Sequence, residues 1–120
     1  MWTLLQYQTV FTDFLAQCDE NMQAAILSKV DQLRREGNQA RYPLTRYLTN
    51  TDGILECRPR AGKQQARLLF YFQPNKRIVF VVAVFKDQRK LDRGAIKLAE
   101  RRKELIESGQ EATDGIDHTH

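Results

Sequence analysis

Apolar residues recur at helical spacing in two stretches near the start of the chain. They follow residues 2–8 (WTLLQYQ), whose apolar and aromatic character predicts a first strand. The first helical stretch has five apolar residues on one side: Val10, Phe11, Phe14, Leu15 and Cys18. The second has a suitable N-cap in Asp19, a typical end in Gly37, and a stripe that should be buried: Met22, Ala25, Ile26, Val30 and Leu33. We expect the two helices to form a hairpin packed on one face of a sheet.

After Gly53 the hydrophobic period changes from helical to two, which is typical of strands. Residues 54–60 (ILECRPR) and 66–72 (ARLLFYF) alternate between two faces. Residues 78–85 (IVFVVAVF) are apolar on both faces, as in a central strand. The turn sequences AGKQ and QPNK connect these three segments, so the pattern predicts an antiparallel meander.

A last helix is predicted to begin at Asp92 or a neighbouring residue. One face of it is partly apolar and contains Ala95, Leu98, Ala99, Arg102, Leu105 and Ile106. Residues 108–120 show no apolar period and are predicted to form a flexible acidic tail. The order strand, helix, helix, three strands, helix predicts a single α+β domain over residues 1–107.

Composition excludes several protein classes. A chain of 120 residues, 42% of them hydrophobic, has room for one domain with a modest core. It contains no run of 18 apolar residues, and its start lacks the features of a secretory signal. The two cysteines, Cys18 and Cys57, fit reduced, buried thiols better than a disulfide framework. We therefore expect a cytoplasmic protein without membrane contact.

The formal charge of +4 conceals a strong segregation of charge along the chain. Residues 1–57 carry five basic and seven acidic side chains, which gives −2. Residues 58–103 carry fourteen basic and three acidic side chains, which gives +11, and residues 104–120 carry five acids and no Lys or Arg. Because the basic excess falls on both the predicted sheet and the last helix, it favours a surface for a polyanion or an acidic protein.

The available chemistry is cationic and phenolic. The only histidines are His118 and His120, and the sequence has no GxSxG, HExxH, Walker or GxGxxG motif. Three uses of the cations stay open at this point. They can bind nucleic acid phosphates, they can stabilise the phosphorane of a metal-free ribonuclease reaction, or they can pair with acids such as Glu56 in a purely structural role.

The pieces GILECRPR, ARLLFYF, RIVFVVAVFKDQRK and AIKLAERRKELI resemble, in this order, the RelE/ParE superfamily of toxins from type II toxin–antitoxin modules. They are most similar to its HigB-like, phage-derived branch, and the resemblance covers residues 42–106. It implies a RelE-like α+β fold, in which an N-terminal strand and a helical hairpin pack on a curved antiparallel sheet, with a C-terminal helix.

The resemblance also implies ribosome-dependent cleavage of mRNA without a metal or other cofactor, and inhibition by a cognate helix-turn-helix antitoxin. By motif position, Arg67 is the first candidate for stabilising the reacting phosphate, followed by Lys86 and Arg58. Tyr71 would stack on a base or orient it. Four neighbouring cations are predicted to bind RNA: Arg60, Lys63, Arg89 and Lys90.

Two other functions remain open from the sequence. A ParE-like protein would share the fold and poison DNA gyrase without cutting RNA. A basic module that binds nucleic acid without catalysis would need the same cations and no reaction. The retained Arg67 and Lys86 favour cleavage over gyrase poisoning.

Overall fold

Helices cover both faces of a mixed sheet in the computed structural model, which describes residues 1–86 and 93–116. The helices are α1 (Val10–Gln17), α2 (Glu20–Glu36) and α3 (Arg93–Glu107), and a 3₁₀ turn follows α2 at Gly37–Gln39. The strands are β1 (Thr3–Tyr7), β2 (Arg46–Tyr47), β3 (Leu55–Cys57), β4 (Arg60–Ala61), β5 (Gln64–Gln73), β6 (Arg77–Phe85) and β7 (Thr113–Gly115). The predicted α+β fold is confirmed.

The strand order is β2-β3-β5-β6-β1-β7, and β4 also pairs with β5. Strands β3, β5 and β6 form the predicted antiparallel meander, with β6 in the interior of the sheet. Strand β1 pairs with β6 in parallel, a contact that the sequence pattern does not predict. Strands β3 and β4 pair with β5 in the same register. They are separate strands because Pro59 lies between them and has no N–H to donate.

Two apolar clusters fill the spaces on either side of the sheet. One lies under the α1–α2 hairpin and contains Leu68, Phe70 and Phe80, and the other lies under α3 and contains Leu69 and Tyr71. The predicted alternation along β5 is therefore confirmed. The register between β5 and β6 shifts by one residue: Leu69 pairs with Val82, whereas Phe70 pairs with Phe80. This β-bulge leaves Val81 as the extra residue, and both Val81 and Val82 belong to the α3 side.

Side chains from outside the helices complete the ends of the hairpin. The Gln6 Oε1 atom accepts hydrogen bonds from the backbone N–H groups of Phe11 and Thr12 at the start of α1. Asp19 caps α2 as predicted, accepting a bond of 2.8 Å from the N–H of Met22. Gly37 ends α2 at φ +56°, and a Cβ there would lie 2.0 Å from the Trp2 indole nitrogen. The close packing of Trp2 and the left-handed backbone both require glycine.

The C-terminal part of the chain differs from the prediction in two respects. Leu98 is 42% exposed, whereas Lys103 is buried with Ala95 and Ala99, because the spacing of four residues places these three on one side of α3. The prediction of a flexible tail from residue 108 is wrong for Thr113–Gly115, which pairs antiparallel with the free edge of β1. The predicted helix start at Asp92 lies outside the described residues. None of the helices in the described parts of the chain is long and apolar enough to cross a membrane.

Candidate nucleic-acid interface

Three cations surround a small cavity at one end of the sheet. Arg60 is directly opposite Gln65, and Lys86 donates its backbone N–H to the Gln65 carbonyl at 2.8 Å. Opposite residues of adjacent strands point to the same side, so the three side chains form one row. Lys63 lies beside this row in the two-residue β4–β5 turn, where the preceding glycine has the positive φ that such a hairpin needs. The cavity between these side chains has a volume of about 220 Å³.

Among residues 1–86 and 93–116, no acidic side chain neutralises the charges of this cationic cluster (Arg60, Lys63 and Lys86). The cavity lining contains no carboxylate, and no ion pair joins these three residues to any described residue. Like charges held close together raise the free energy of the folded protein unless an anion binds between them. The cluster therefore has the charge and the open cavity that a phosphate group requires.

Arg58 and Arg67 occupy the next row of the same face, and both contact the buried carboxylate of Glu56, which lies one row further along. Arg58 Nε donates to Glu56 Oε1 at 2.5 Å, and Arg67 Nε donates to the other oxygen of Glu56. The side chains of Glu56 and Arg67 are 0% and 1% exposed, whereas that of Arg58 is 30% exposed. The Nη2 atom of Arg67 is buried without a hydrogen-bond partner. Glu56 thus holds Arg58 beside the cationic cluster and Arg67 beneath the surface.

This geometry separates the predicted catalytic residues into different roles. Lys86 is accessible in the cationic cluster, and Arg58 lies in the row next to it. Arg67, the first candidate from the sequence, would have to leave Glu56 and move to the surface before it could touch a phosphate. Arg67 is therefore buried, and the accessible positive charge of this region lies on Lys86, Arg60 and Lys63.

Tyr71 lies apart from the cationic cluster. It is six residues from Gln65 along β5, which corresponds to roughly 20 Å, and only 1% of its surface is exposed. The ammonium of Lys103 lies 5.2 Å from the centre of its ring, and Gln73 donates to its hydroxyl. Burial raises the pKa of Tyr71, so the phenol is held in its neutral form beneath α3. This position does not allow Tyr71 to stack on a base.

Sequence reasoning did not identify the buried position of Lys103. Its ammonium contacts Glu107 at 2.7 Å and Asp52 at 3.0 Å, which joins α3 to the loop before β3. Burial alone would lower the pKa of Lys103, but the two carboxylates together raise it. The spacing of four residues between Ala95, Ala99 and Lys103 was the sequence signal that could have placed Lys103 on the buried side of α3. The predicted RNA-binding residues Arg89 and Lys90 lie outside the described residues.

Comparison with known proteins supports the family suggested by the motifs. The search of curated proteins found no significant match to this chain. The family model of the phage-derived Gp49-like proteins (DUF891) matches residues 13–104, which include most of the helical hairpin, the meander and most of α3. This match covers more than half of the chain and includes all three members of the cationic cluster. The chain therefore belongs to the Gp49-like phage-derived family, a RelE/toxin-like family.

Proposed function

We propose that this protein is the toxin of a type II toxin–antitoxin system and that it cleaves mRNA on the ribosome without a metal ion. The observation that carries the proposal is the cationic cluster, which forms no ion pair with a described residue and lies within the region matched to the Gp49-like family. The family is compatible with such a toxin. Under this proposal the protein acts in the cytoplasm, and a cognate helix-turn-helix antitoxin inhibits it.

Fixed cations suit RNA cleavage by internal transfer. The 2′-hydroxyl loses its proton and attacks the adjacent phosphorus, which forms a 2′-oxygen–phosphorus bond. The bond from phosphorus to the 5′-oxygen then breaks, and that oxygen takes up a proton. Negative charge increases on the phosphorane in between, so guanidinium and ammonium groups that are already in place stabilise the transition state more than the ground state.

The accessible cations take different parts in this reaction under the proposal. The partly exposed guanidinium of Arg58 and the ammonium of Lys86 contact the reacting phosphate from adjacent rows, which their exposure supports. Arg60 and Lys63 extend the positive surface for the neighbouring phosphates of the strand. Glu56 and Arg67 position Arg58 from below.

The test uses two variants that lose the same charge on opposite faces of the sheet. We expect Lys63→Ala with Lys86→Ala to reduce mRNA cleavage by about 100-fold or more, as the loss of transition-state donors does elsewhere. Lys29→Ala with Arg35→Ala, on α2, removes the same charge and should retain cleavage and growth arrest.

Mapping of mRNA ends and of DNA breaks in cells that express each variant without an antitoxin distinguishes the functions. Cuts in mRNA that disappear only in the cluster variant support the proposal. Wild-type cleavage by a folded cluster variant would contradict it. DNA breaks with intact mRNA would show gyrase poisoning instead, and salt-sensitive binding without cuts or growth arrest would show a non-catalytic module.

A further inference from the structure

A second groove lies at the opposite end of β5 from the cationic cluster. Its volume is about 460 Å³, and its floor includes Leu55 and Phe72. Seven residues separate Gln65 from Phe72 along the strand, which corresponds to roughly 23 Å. The groove lies on the face of the α1–α2 hairpin, because Leu55 and Phe72 pack with that apolar cluster. It is therefore distinct from the site proposed for cleavage.

Two tyrosines at this groove are unusually exposed. Tyr42 is 80% exposed and Tyr47 is 64% exposed, although both are large and partly apolar. The Tyr47 hydroxyl lies 3.7 Å from the position that a Cβ of Gly53 would occupy, so the ring rests against the loop before β3. Phe72 on the floor is held by an edge contact with Trp2, with ring centroids 5.2 Å apart. Aromatic rings held open to solvent are surfaces on which unpaired bases stack.

The charges of the groove select for an anion. None of the nine lining residues is acidic, and Arg41 supplies the positive charge of the groove, because Arg46 is opposite Glu56 and its side chain belongs to the other face of the sheet. Arg41 Nη1 donates to the carbonyls of Asn38 and Ala40, both at 3.1 Å, so one edge of the guanidinium is anchored to the backbone. Its Nε and Nη2 groups form no hydrogen bond with a described residue and are available to contact a phosphate. An acidic peptide would satisfy the charge, but the pair of exposed rings favours a ligand with flat π-faces.

We infer that this aromatic–basic groove (Arg41, Tyr42 and Tyr47 above Leu55 and Phe72) binds single-stranded nucleic acid. An unpaired base lies against the tyrosine rings, and the adjoining phosphate is bound by Arg41. Through this groove the protein binds an unpaired strand at a distance from the cationic cluster. This binding does not depend on cleavage at that cluster.

The test measures binding of a 12-nucleotide 2′-O-methyl oligouridylate by fluorescence anisotropy. The methyl group removes the nucleophile, so the probe cannot be cut by internal transfer. We expect Tyr42→Ala with Tyr47→Ala to raise the Kd by at least about 10-fold, since stacking contributes about 1–3 kcal/mol per base. Tyr42→Phe with Tyr47→Phe keeps both rings and should stay within about twofold of the wild type. Arg41→Ala should reduce the salt slope by about 0.7.

A 5-iodouracil version of the probe locates the contact directly. Photo-crosslinks at Tyr42 or Tyr47, found by mass spectrometry, support the groove, and oligothymidylate competition shows whether deoxyribose is accepted as well. Unchanged affinity in the folded alanine variant, or crosslinks confined to the cationic cluster, would overturn the inference. So would equal loss in the phenylalanine and alanine variants, because stacking would then not be the cause. This binding test does not require cleavage. Its result is therefore independent of whether the Lys63→Ala, Lys86→Ala variant loses cleavage.

Discussion

Removal of Glu56 should destabilise the protein more than removal of Arg67, although the two residues form one ion pair. Glu56→Leu leaves Arg67 with a guanidinium that is 1% exposed and, among the described residues, has no other charged partner. Arg67→Met leaves Glu56 buried, but Arg58 Nε still donates to its other oxygen. The two single substitutions therefore leave very different residual charges in the core.

The expected magnitudes follow from this difference. Stranding a buried charge costs about 3–5 kcal/mol, so Glu56→Leu should lower the free energy of unfolding by that amount. Arg67→Met should cost about 1–3 kcal/mol, because the carboxylate keeps one charged donor. The double variant removes both buried charges together with the unpartnered Nη2, and should be more stable than Glu56→Leu alone. Total stability for 120 residues is on the order of 6–18 kcal/mol, so each variant should fold.

Equilibrium unfolding in urea, followed by circular dichroism, measures all three variants. The slope of unfolding free energy against urea should stay constant, so that the midpoints report stability. Equal losses for the two single variants, or strictly additive losses in the double variant, would refute the buried-pair reasoning. The same data matter for function, because a loss of toxicity in an Arg67 variant is informative only where the folded fraction is known.

Three further predictions concern the ends of α1, the thiol in β3 and the C-terminal helix. Gln6→Ala should lower the free energy of unfolding in urea by about 1–2 kcal/mol, because it removes the acceptor for two N–H groups of α1. The control Gln17→Ala, on the exposed end of that helix, should change it by less than about 0.5 kcal/mol. Burial raises the pKa of Cys57 from 9.0 to about 12, so the thiol ionises at lower pH in the unfolded chain than in the folded protein. The contribution of the neutral thiol to stability is therefore complete below pH 9 and decreases as the pH rises towards 12. Between pH 9 and 11 the wild type should lose about 1.4 kcal/mol per pH unit more than Cys57→Ala, and parallel curves would contradict this. Lys103→Met should change the free energy of unfolding by less than about 1 kcal/mol, because Asp52 and Glu107 are 84% and 52% exposed and water screens their ion pairs with Lys103. A larger loss would show that these ion pairs are stronger than their exposure indicates.

Much of the fold could be predicted from the sequence because its signals are local. The Asp19 cap, the apolar stripe of α2 and the alternation along β5 each depend on residues a few positions apart. The parallel pairing of β1 with β6 depends on residues more than seventy positions apart. Strand β7 was missed for the same reason, since Thr113–Gly115 is polar and becomes a strand only because the β1 edge is available.

The candidate site was predicted in composition but only partly in geometry. The alternation predicted two faces for residues 54–60 and two for residues 66–72, and the structure brings Glu56, Arg58 and Arg67 together on one of them. It did not show how deeply each side chain is buried, because burial depends on what α3 and the neighbouring strands cover. Tyr71 illustrates the difference, since it shares the face of Arg67 and lies beneath α3, away from Lys86.

Under the proposed function, the cationic cluster cleaves mRNA during translation. This can be measured with a defined mRNA in a reconstituted translation reaction, with its 5′ ends mapped by primer extension. The wild-type protein should produce new ends within the translated region, and Lys63→Ala with Lys86→Ala should remove them while Lys29→Ala with Arg35→Ala does not. Intact mRNA with the folded wild-type protein, or undiminished cutting by the folded cluster variant, would contradict the account.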